Sequence, residues 1–398
     1  MSPPAHIVIA GGGTGGHLFP GVALADELAR RGYAITFVGT ARGIEARVIP
    51  TTPYGLELID VAGLKRQGLA ATLRSLFRLP LALLSALRIL RRIRPVAVVG
   101  VGGYASGPLV LCAALTGIPS IVLEQNSIPG LTNKILGRFV RSVVTAFPQA
   151  GAFFPSQKVV KLGNPIRAAI AGQAASLSTE SAAADAGASQ PRPLSLLVLG
   201  GSQGATAVND LVAGAVEALG AESCRALLRI CHQTGEKDQA RIAARYQALG
   251  LSTDEARATA FIADMGSAYA ACDLMVGRAG ATTIAELTAI GRPALLIPFL
   301  QAADDHQTHN ARFMADAGAA ELLPQTTTTA AQLAERLRAL GQDRARLAKM
   351  AHSSRSLGRP DAAQRIADHL LQLAGLPPAS QPLAGADRPD AATPAHRP

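Results

Sequence analysis

The sequence predicts an α/β protein of two doubly wound parallel-sheet domains that face each other across a cleft. Three observations carry that expectation. The chain opens with a strand, a glycine turn and a helix in "IVIAGGGTGGHLFPGVALADELARRG" (residues 7–32), and the same order returns after residue 193 in "LSLLVLGGSQGATAVNDLVAGAVEALG". A second pair of segments, one in each half, repeats strand, glycine turn, helix, Gly-x-Pro and strand. Strands alternating with helices over short connections build parallel sheets covered on both faces.

In the opening segment, Ile7, Val8, Ile9 and Ala10 read as a buried strand, while Leu18, Val22, Leu24, Ala25, Leu28 and Ala29 recur at helical spacing. Five of the six residues from Gly11 to Gly16 are glycine, with only Thr14 between them. Glycine is needed where backbone turns sharply and bare amides approach a ligand, and a helix N-terminus offers unpaired N–H groups. Gly11, Gly13 and Gly16 satisfy G-x-G-x-x-G, but a dinucleotide fold also expects an acid about 20 residues on. Gly39, Thr40 and Ala41 stand there instead. His17 puts a titratable group at the mouth of a parallel strand, where such sheets place chemistry, unless it merely caps the turn.

The next stretch is basic and apolar. No acidic residue lies between Asp60 and Glu124, whereas Lys65, Arg66, Arg74, Arg78, Arg88, Arg91, Arg92 and Arg94 do. The apolar part of "TLRSLFRLPLALLSALRILRRIR" falls well short of the ~20 residues that span a bilayer. Such a segment suits an interfacial anchor on anionic lipid, the alternative being a buried helix with a solvated arginine edge. Scarce aromatics argue against nucleic acid. The uncharged run from Pro95 to Leu123 is punctuated by glycine and proline and reads as strand, helix, strand. "VVGVGGYASGPLVLCAALTGIPSIVL" there corresponds to "LMVGRAGATTIAELTAIGRPALLIPF" in the second half, whose helix is expected to be about one turn shorter.

The low-complexity stretch Ala171 to Pro193 breaks the chain near its middle. The expected organisation is a first domain over 1–165, a linker or insertion over 166–193, a second domain over 194–358, a helix crossing back over 359–375, and a disordered Pro/Ala-rich tail over 376–398. The formal charge of +10 and four cysteines without C-x-x-C spacing describe a basic chain with reduced thiols, and "MSPPAHIVIAGGG" lacks the basic start of a signal peptide.

Taken together, "GGGTGGHLFPGVALADEL", "VGVGGYASGP", "LEQNSIPGLTNKIL", "GNPIR", "LGGSQGATAVN", "FIADM", "RAGATTIAEL" and "DDHQTHNA" resemble, in order, the MurG family of GT-B glycosyltransferases. The resemblance implies inverting transfer of N-acetylglucosamine from its UDP donor to the 4-hydroxyl of a lipid-linked muramyl pentapeptide, in cell-wall synthesis. It implies a peripheral enzyme at the cytoplasmic face of the bacterial inner membrane, with no cofactor, metal or nucleic-acid partner. A single displacement needs a base at the acceptor hydroxyl and stabilisation of the departing diphosphate. His17 or Glu124 would be the base, and Thr14, Gly15 and Gly16 would line the cleft against donor and acceptor. Ser202 and Arg167 would hold phosphate, and Glu286 would accept the ribose hydroxyls. Family correspondence brings Asn126, Asn209, Ile262, Ala281, Thr282, Thr283, Ile284, Ala285 and Gln307 to the donor, while the basic, apolar segment would put Arg74, Arg78, Arg88, Arg91 and Arg92 at the membrane. The family usually has histidine where Leu123 stands. UDP-N-acetylglucosamine 2-epimerases share the two-lobed fold, and a non-catalytic nucleotide-binding protein is the other alternative.

Overall fold

A computed structural model describes residues 4–61, 69–184, 192–201 and 204–377, without the side chains of 69–78, 178–184 and 303. Lys65, Arg66, Ser202 and nearly all of the expected tail lie outside the described residues, as do the side chains of Arg74 and Arg78.

The first sheet comprises β1 (His6–Gly11), β2 (Ala34–Gly39), β3 (Gly55–Leu58), β4 (Ala97–Gly102), β5 (Ser120–Glu124), β6 (Ser142–Thr145) and β7 (Val159–Lys161). The second comprises β8 (Leu194–Leu199), β9 (Leu228–Gln233), β10 (Ala256–Thr259), β11 (Leu274–Gly277), β12 (Ala294–Leu296) and β13 (Ala320–Leu322). Both are parallel, with spatial orders 3-2-1-4-5-6-7 and 10-9-8-11-12-13. The strand order reverses beside β1 and beside β8, and the two glycine-rich turns follow those strands. Crevices of doubly wound sheets open at such switch points.

The strands read as continuous apolar runs because both faces are covered. Ile7 and Ile9 enter one core with Leu18 and Leu24, whereas Val8 and Ala10 enter another with Leu109 and Val122. The helix Ala362–Leu373 puts Ile366, Ala367, Leu370 and Leu371 into the first sheet's core, and its Asp368 pairs with Arg31. Burying each larger aliphatic side chain is worth about 1.5–3 kcal/mol, so this helix is firmly docked there.

Two expectations are corrected. The helices Ser106–Leu115 and Ala281–Ile290 are both ten residues long, and the additional residues of the first copy are Tyr104 and Ala105 before its helix and Thr116 after it. The segment expected as a linker forms a helix, Ala168–Ala184, whose Ile170 and Ala174 enter the second lobe's core beside Tyr269 and Ile284. Alanine-rich sequence looks featureless, yet alanine is the strongest helix former.

Candidate active site

His17 sits in the first turn of the helix Gly15–Arg30, directly after the glycine turn. Its Nδ1 lies 3.1 Å from Gln125 Oε1, and Gln125 Nε2 donates to the Val101 carbonyl at 3.0 Å. The second bond fixes the amide with its oxygen toward the imidazole, so His17 carries its proton on Nδ1 and leaves Nε2 bare. Burial holds its pKa below the ordinary histidine value, the His306 imidazole of the second lobe pushes the same way, and the Gln125 bond opposes both. A neutral ring with an open Nε2 can accept a proton. Close packing here depends on Gly102 (φ +95°), where a Cβ would stand 2.8 Å from His17 Nδ1.

Thr14 is the N-cap of this helix and is extended, with no side-chain capping bond, so its exposed hydroxyl is available beside Gly15 and Gly16. No acidic residue lies in the helix's own first turn. Glu124 lies close by but is differently engaged. Its Oε1 accepts Asn126 N–H at 3.0 Å, and its Oε2 accepts from Asn133 Nδ2 at 2.9 Å and Gly130 N–H at 3.3 Å. Burial raises its pKa and these donors oppose the rise. Glu124 thus holds the loop 124–133 together, while His17 keeps an unused acceptor. Both line a cavity of about 370 Å³ with Leu79, Leu83, Tyr104, Leu111, Leu131 and Ile135.

The second lobe closes on this turn through Asn310, which is fully buried on the helix His306–Asp316. Its Oδ1 accepts Ser127 N–H at 2.9 Å and Ser127 Oγ–H at 2.7 Å, and its Nδ2 donates to Asn126 Oδ1 at 3.3 Å and Ala279 O at 3.2 Å. One side chain therefore ties the loop after β5 to the glycine turn after β11. The helices Gly15–Arg30 and Ala281–Ile290 also touch.

Glu286, on the helix Ala281–Ile290, is 4% exposed. Arg167 approaches its Oε1 with NH2 at 3.0 Å and Nε at 3.2 Å, and Tyr269 donates to its Oε2 at 3.1 Å. Burial raises the Glu286 pKa and Arg167 pulls it back. The two groups expected on phosphate and ribose thus face each other directly. Gly280 is the N-cap of this helix, with no side-chain capping bond, and Thr282 Oγ1 is buried without a hydrogen-bond partner. Ala281 and Ile284 turn their side chains into the core, so only their backbone could meet a ligand; Thr283 and Ala285 are half-buried.

Asn209 is corrected more strongly. It is fully buried, with Nδ2 donating to Thr234 O at 2.9 Å and Asp238 Oδ2 at 2.8 Å, and with Oδ1 accepting from His232 Nε2 at 3.1 Å. Every polar atom is used beneath the second glycine turn, so Asn209 braces that turn without reaching the cleft. Ile262 N–H is likewise taken by Gln233 Oε1 at 2.9 Å, and Gln233 Nε2 donates to Gly201 O at 3.1 Å. Gln307 Oε1 accepts Phe299 N–H at 3.0 Å.

Gln125, Asn310, Tyr269, Gln233 and Arg278 were not singled out by sequence reading. Gln125 could have been: a run of four polar residues, Glu124 to Ser127, begins at the last residue of a buried strand. Arg278 is buried, and its NH1 donates to the carbonyls of Ile297 and Pro298 and to Gln325. Desolvation lowers its pKa.

Family models match this chain twice, the glycosyltransferase family 28 N-terminal domain over residues 7–145 and the family 28 C-terminal domain over 195–366. A relative from Anaeromyxobacter dehalogenans, named UDP-N-acetylglucosamine--N-acetylmuramyl-(pentapeptide) pyrophosphoryl-undecaprenol N-acetylglucosamine transferase, is 49% identical over 84% of each chain. The chain belongs to the MurG family of glycosyltransferase family 28. The crystal structure of MurG from Acinetobacter baumannii agrees, at 32% identity and a TM-score of 0.75 over 93% of this chain and 100% of that one. A UDP-N-acetylglucosamine 2-epimerase structure reaches a TM-score of 0.60 at 14% identity, covering 95% of this chain and 100% of the other, which is likeness of fold alone. Membership of the MurG family therefore sets aside the epimerase and the dinucleotide-binding alternatives.

Proposed function

We propose that this MurG-family chain transfers N-acetylglucosamine from UDP-N-acetylglucosamine to the 4-hydroxyl of the muramyl sugar of undecaprenyl-pyrophosphoryl-N-acetylmuramoyl-pentapeptide. The acceptor oxygen attacks the anomeric carbon, the bond to the diphosphate breaks, the hydroxyl proton passes to His17 Nε2, and UDP leaves with the bonding pair. The configuration at the anomeric carbon inverts. The observation that carries this reading is the His17 imidazole held through Nδ1 by Gln125, with Nε2 unused, at the mouth of the first glycine turn. Thr14, Gly15 and Gly16 meet the acceptor. The open N-terminus of the helix Ala281–Ile290 meets the diphosphate and stabilises its charge as it departs, and the family resemblance assigns Ser202 to the same group. Glu286 accepts the ribose hydroxyls, with Arg167 and Tyr269 aiming its carboxylate. Glu124 acts through the loop it holds, not as the base.

The chain works at an anionic membrane surface without crossing it. Among the described residues no helix is long and apolar enough to span a bilayer. The helix Leu69–Ile93 buries Ala82, Ala86, Ile89 and Leu90 and exposes Leu81 and Leu84 beside Arg88 and Arg91, an amphipathic face suited to lipid. Arg92 is paired with Glu57 at 2.7 Å and contributes less.

The test is UDP release measured with and without the lipid-linked muramyl pentapeptide. Release that requires the acceptor, with the sugar recovered on the lipid, is expected; equal release without it overturns the proposal.

A further inference from the structure

Glu45 is an acid for which the proposed reaction has no direct use, and it is 1% exposed. It stands just beyond β2, near the place where a dinucleotide fold carries its ribose-binding acid. Its carboxylate turns inward. Oε2 accepts Gly13 N–H at 2.7 Å, and Oε1 accepts Thr40 N–H at 2.8 Å and Thr40 Oγ–H at 3.0 Å. Among the described residues it has no cationic partner.

The surrounding backbone is shaped to this side chain. A Cβ on Gly12 would lie 2.2 Å from Glu45 Oε2, one on Gly39 2.3 Å from Cγ, and one on Gly43 2.1 Å from Oε2. Part of the glycine richness of "GGGTGG" and of "GTARG" therefore serves a protein carboxylate and not a ligand. The constraint also runs forward. Gly12 N–H donates to Gly102 O at 3.1 Å, and the Thr14 carbonyl accepts His17 N–H at 3.2 Å, so Gly13, held by Glu45, lies in the chain between the contact to Gly102 and the base.

We infer that Glu45 is a positioning residue that fills the nucleotide crevice of the first lobe from within and fixes the glycine turn presenting Thr14 to His17. A carboxylate buried against the turn occupies the Gly13 amide, one of the donors that a dinucleotide's phosphates would use. The first lobe is thereby closed to nucleotide and left to the acceptor, while the donor goes to the second lobe. The inference rests on the proposed transfer reaction for its kinetic consequence, though not for the contacts themselves.

Hydrogen exchange on the full-length wild-type chain tests the contacts: Gly13 and Thr40 amides are strongly protected, and in Glu45→Ala both exchange faster. Kinetics test the role. With Glu45→Gln, which keeps the volume, and Glu45→Ala, kcat/KM for the lipid-linked acceptor falls between about 10-fold and about 100-fold, as turn misplacement does. KM for UDP-N-acetylglucosamine stays within about twofold, because its contacts are elsewhere. Calorimetry of the wild type gives one UDP per chain. Unprotected Gly13 and Thr40 amides, a second UDP on the wild type, unchanged acceptor kinetics in both variants, or losses shared equally by both substrates would overturn the inference. A wild-type chain that shows no transfer would instead overturn the proposed reaction, and the exchange measurement would still decide the Glu45 contacts.

Discussion

Replacing Gln125 by Leu removes the hydrogen bond that fixes the His17 tautomer without touching the imidazole. The lost contact is the 3.1 Å bond from Nδ1–H to Oε1, between a ring and an amide that is only 1% exposed. A neutral hydrogen bond of this kind is worth about 1 kcal/mol net, which sets the preference for the competent tautomer and orientation. Its loss lowers kcat by roughly fivefold to tenfold. The Val101 carbonyl also loses its 3.0 Å donor, so melting temperature falls independently of catalysis. His17→Ala removes the base altogether and lowers kcat by about 100-fold to 10,000-fold. The assay is a double-mutant cycle on transfer to the lipid-linked acceptor. With His17 absent, Gln125→Leu changes kcat by no more than about twofold, since the two residues act as one unit. The same loss in both backgrounds would refute the coupling, and an unchanged kcat in the single variant would refute the tautomer argument.

Three further outcomes are expected. Glu286→Gln removes the charge aimed by Arg167 and Tyr269 and raises KM for UDP-N-acetylglucosamine by about tenfold with a smaller effect on the acceptor, checked by steady-state kinetics. His232 is held neutral, its pKa pushed down to about 3 by burial. Since the folded value lies below the unfolded one, its contribution to stability is complete above pH 6.5 and is lost as pH falls toward 3, at about 1.4 kcal/mol per unit; denaturant titrations of the wild type and His232→Gln at pH 7 and pH 5 measure the difference. Charge reversal at Arg88 and Arg91 weakens binding to anionic vesicles by at least about tenfold at low salt, and the difference shrinks at high salt.

The two sheets were legible because a strand buried on both faces is an apolar run whatever its neighbours do, and Ile7–Ala10 and Leu194–Leu199 are both of that kind. His17 was legible for the same local reason, as a titratable group placed where a strand meets a helix. Long-range pairings were not. Nothing near Asn310 announces that its amide closes on Ser127, and nothing near Arg167 announces Glu286, because those contacts depend on how two lobes dock. Asn209 shows the opposite error: a polar residue one turn into a helix after a glycine turn resembles a ligand contact, yet helical phase points it inward to His232 and Asp238. The alanine-rich segment after residue 168 was misread because composition alone does not reveal that Ile170 and Ala174 share one face.

The most direct test of the account is the protonation state of His17, read by nitrogen-15 NMR of the imidazole as pH is varied. The account predicts a neutral ring at pH 7, protonated on Nδ1 and bare on Nε2, that titrates below the ordinary histidine value. A ring protonated on Nε2, or an imidazolium at pH 7, would contradict it.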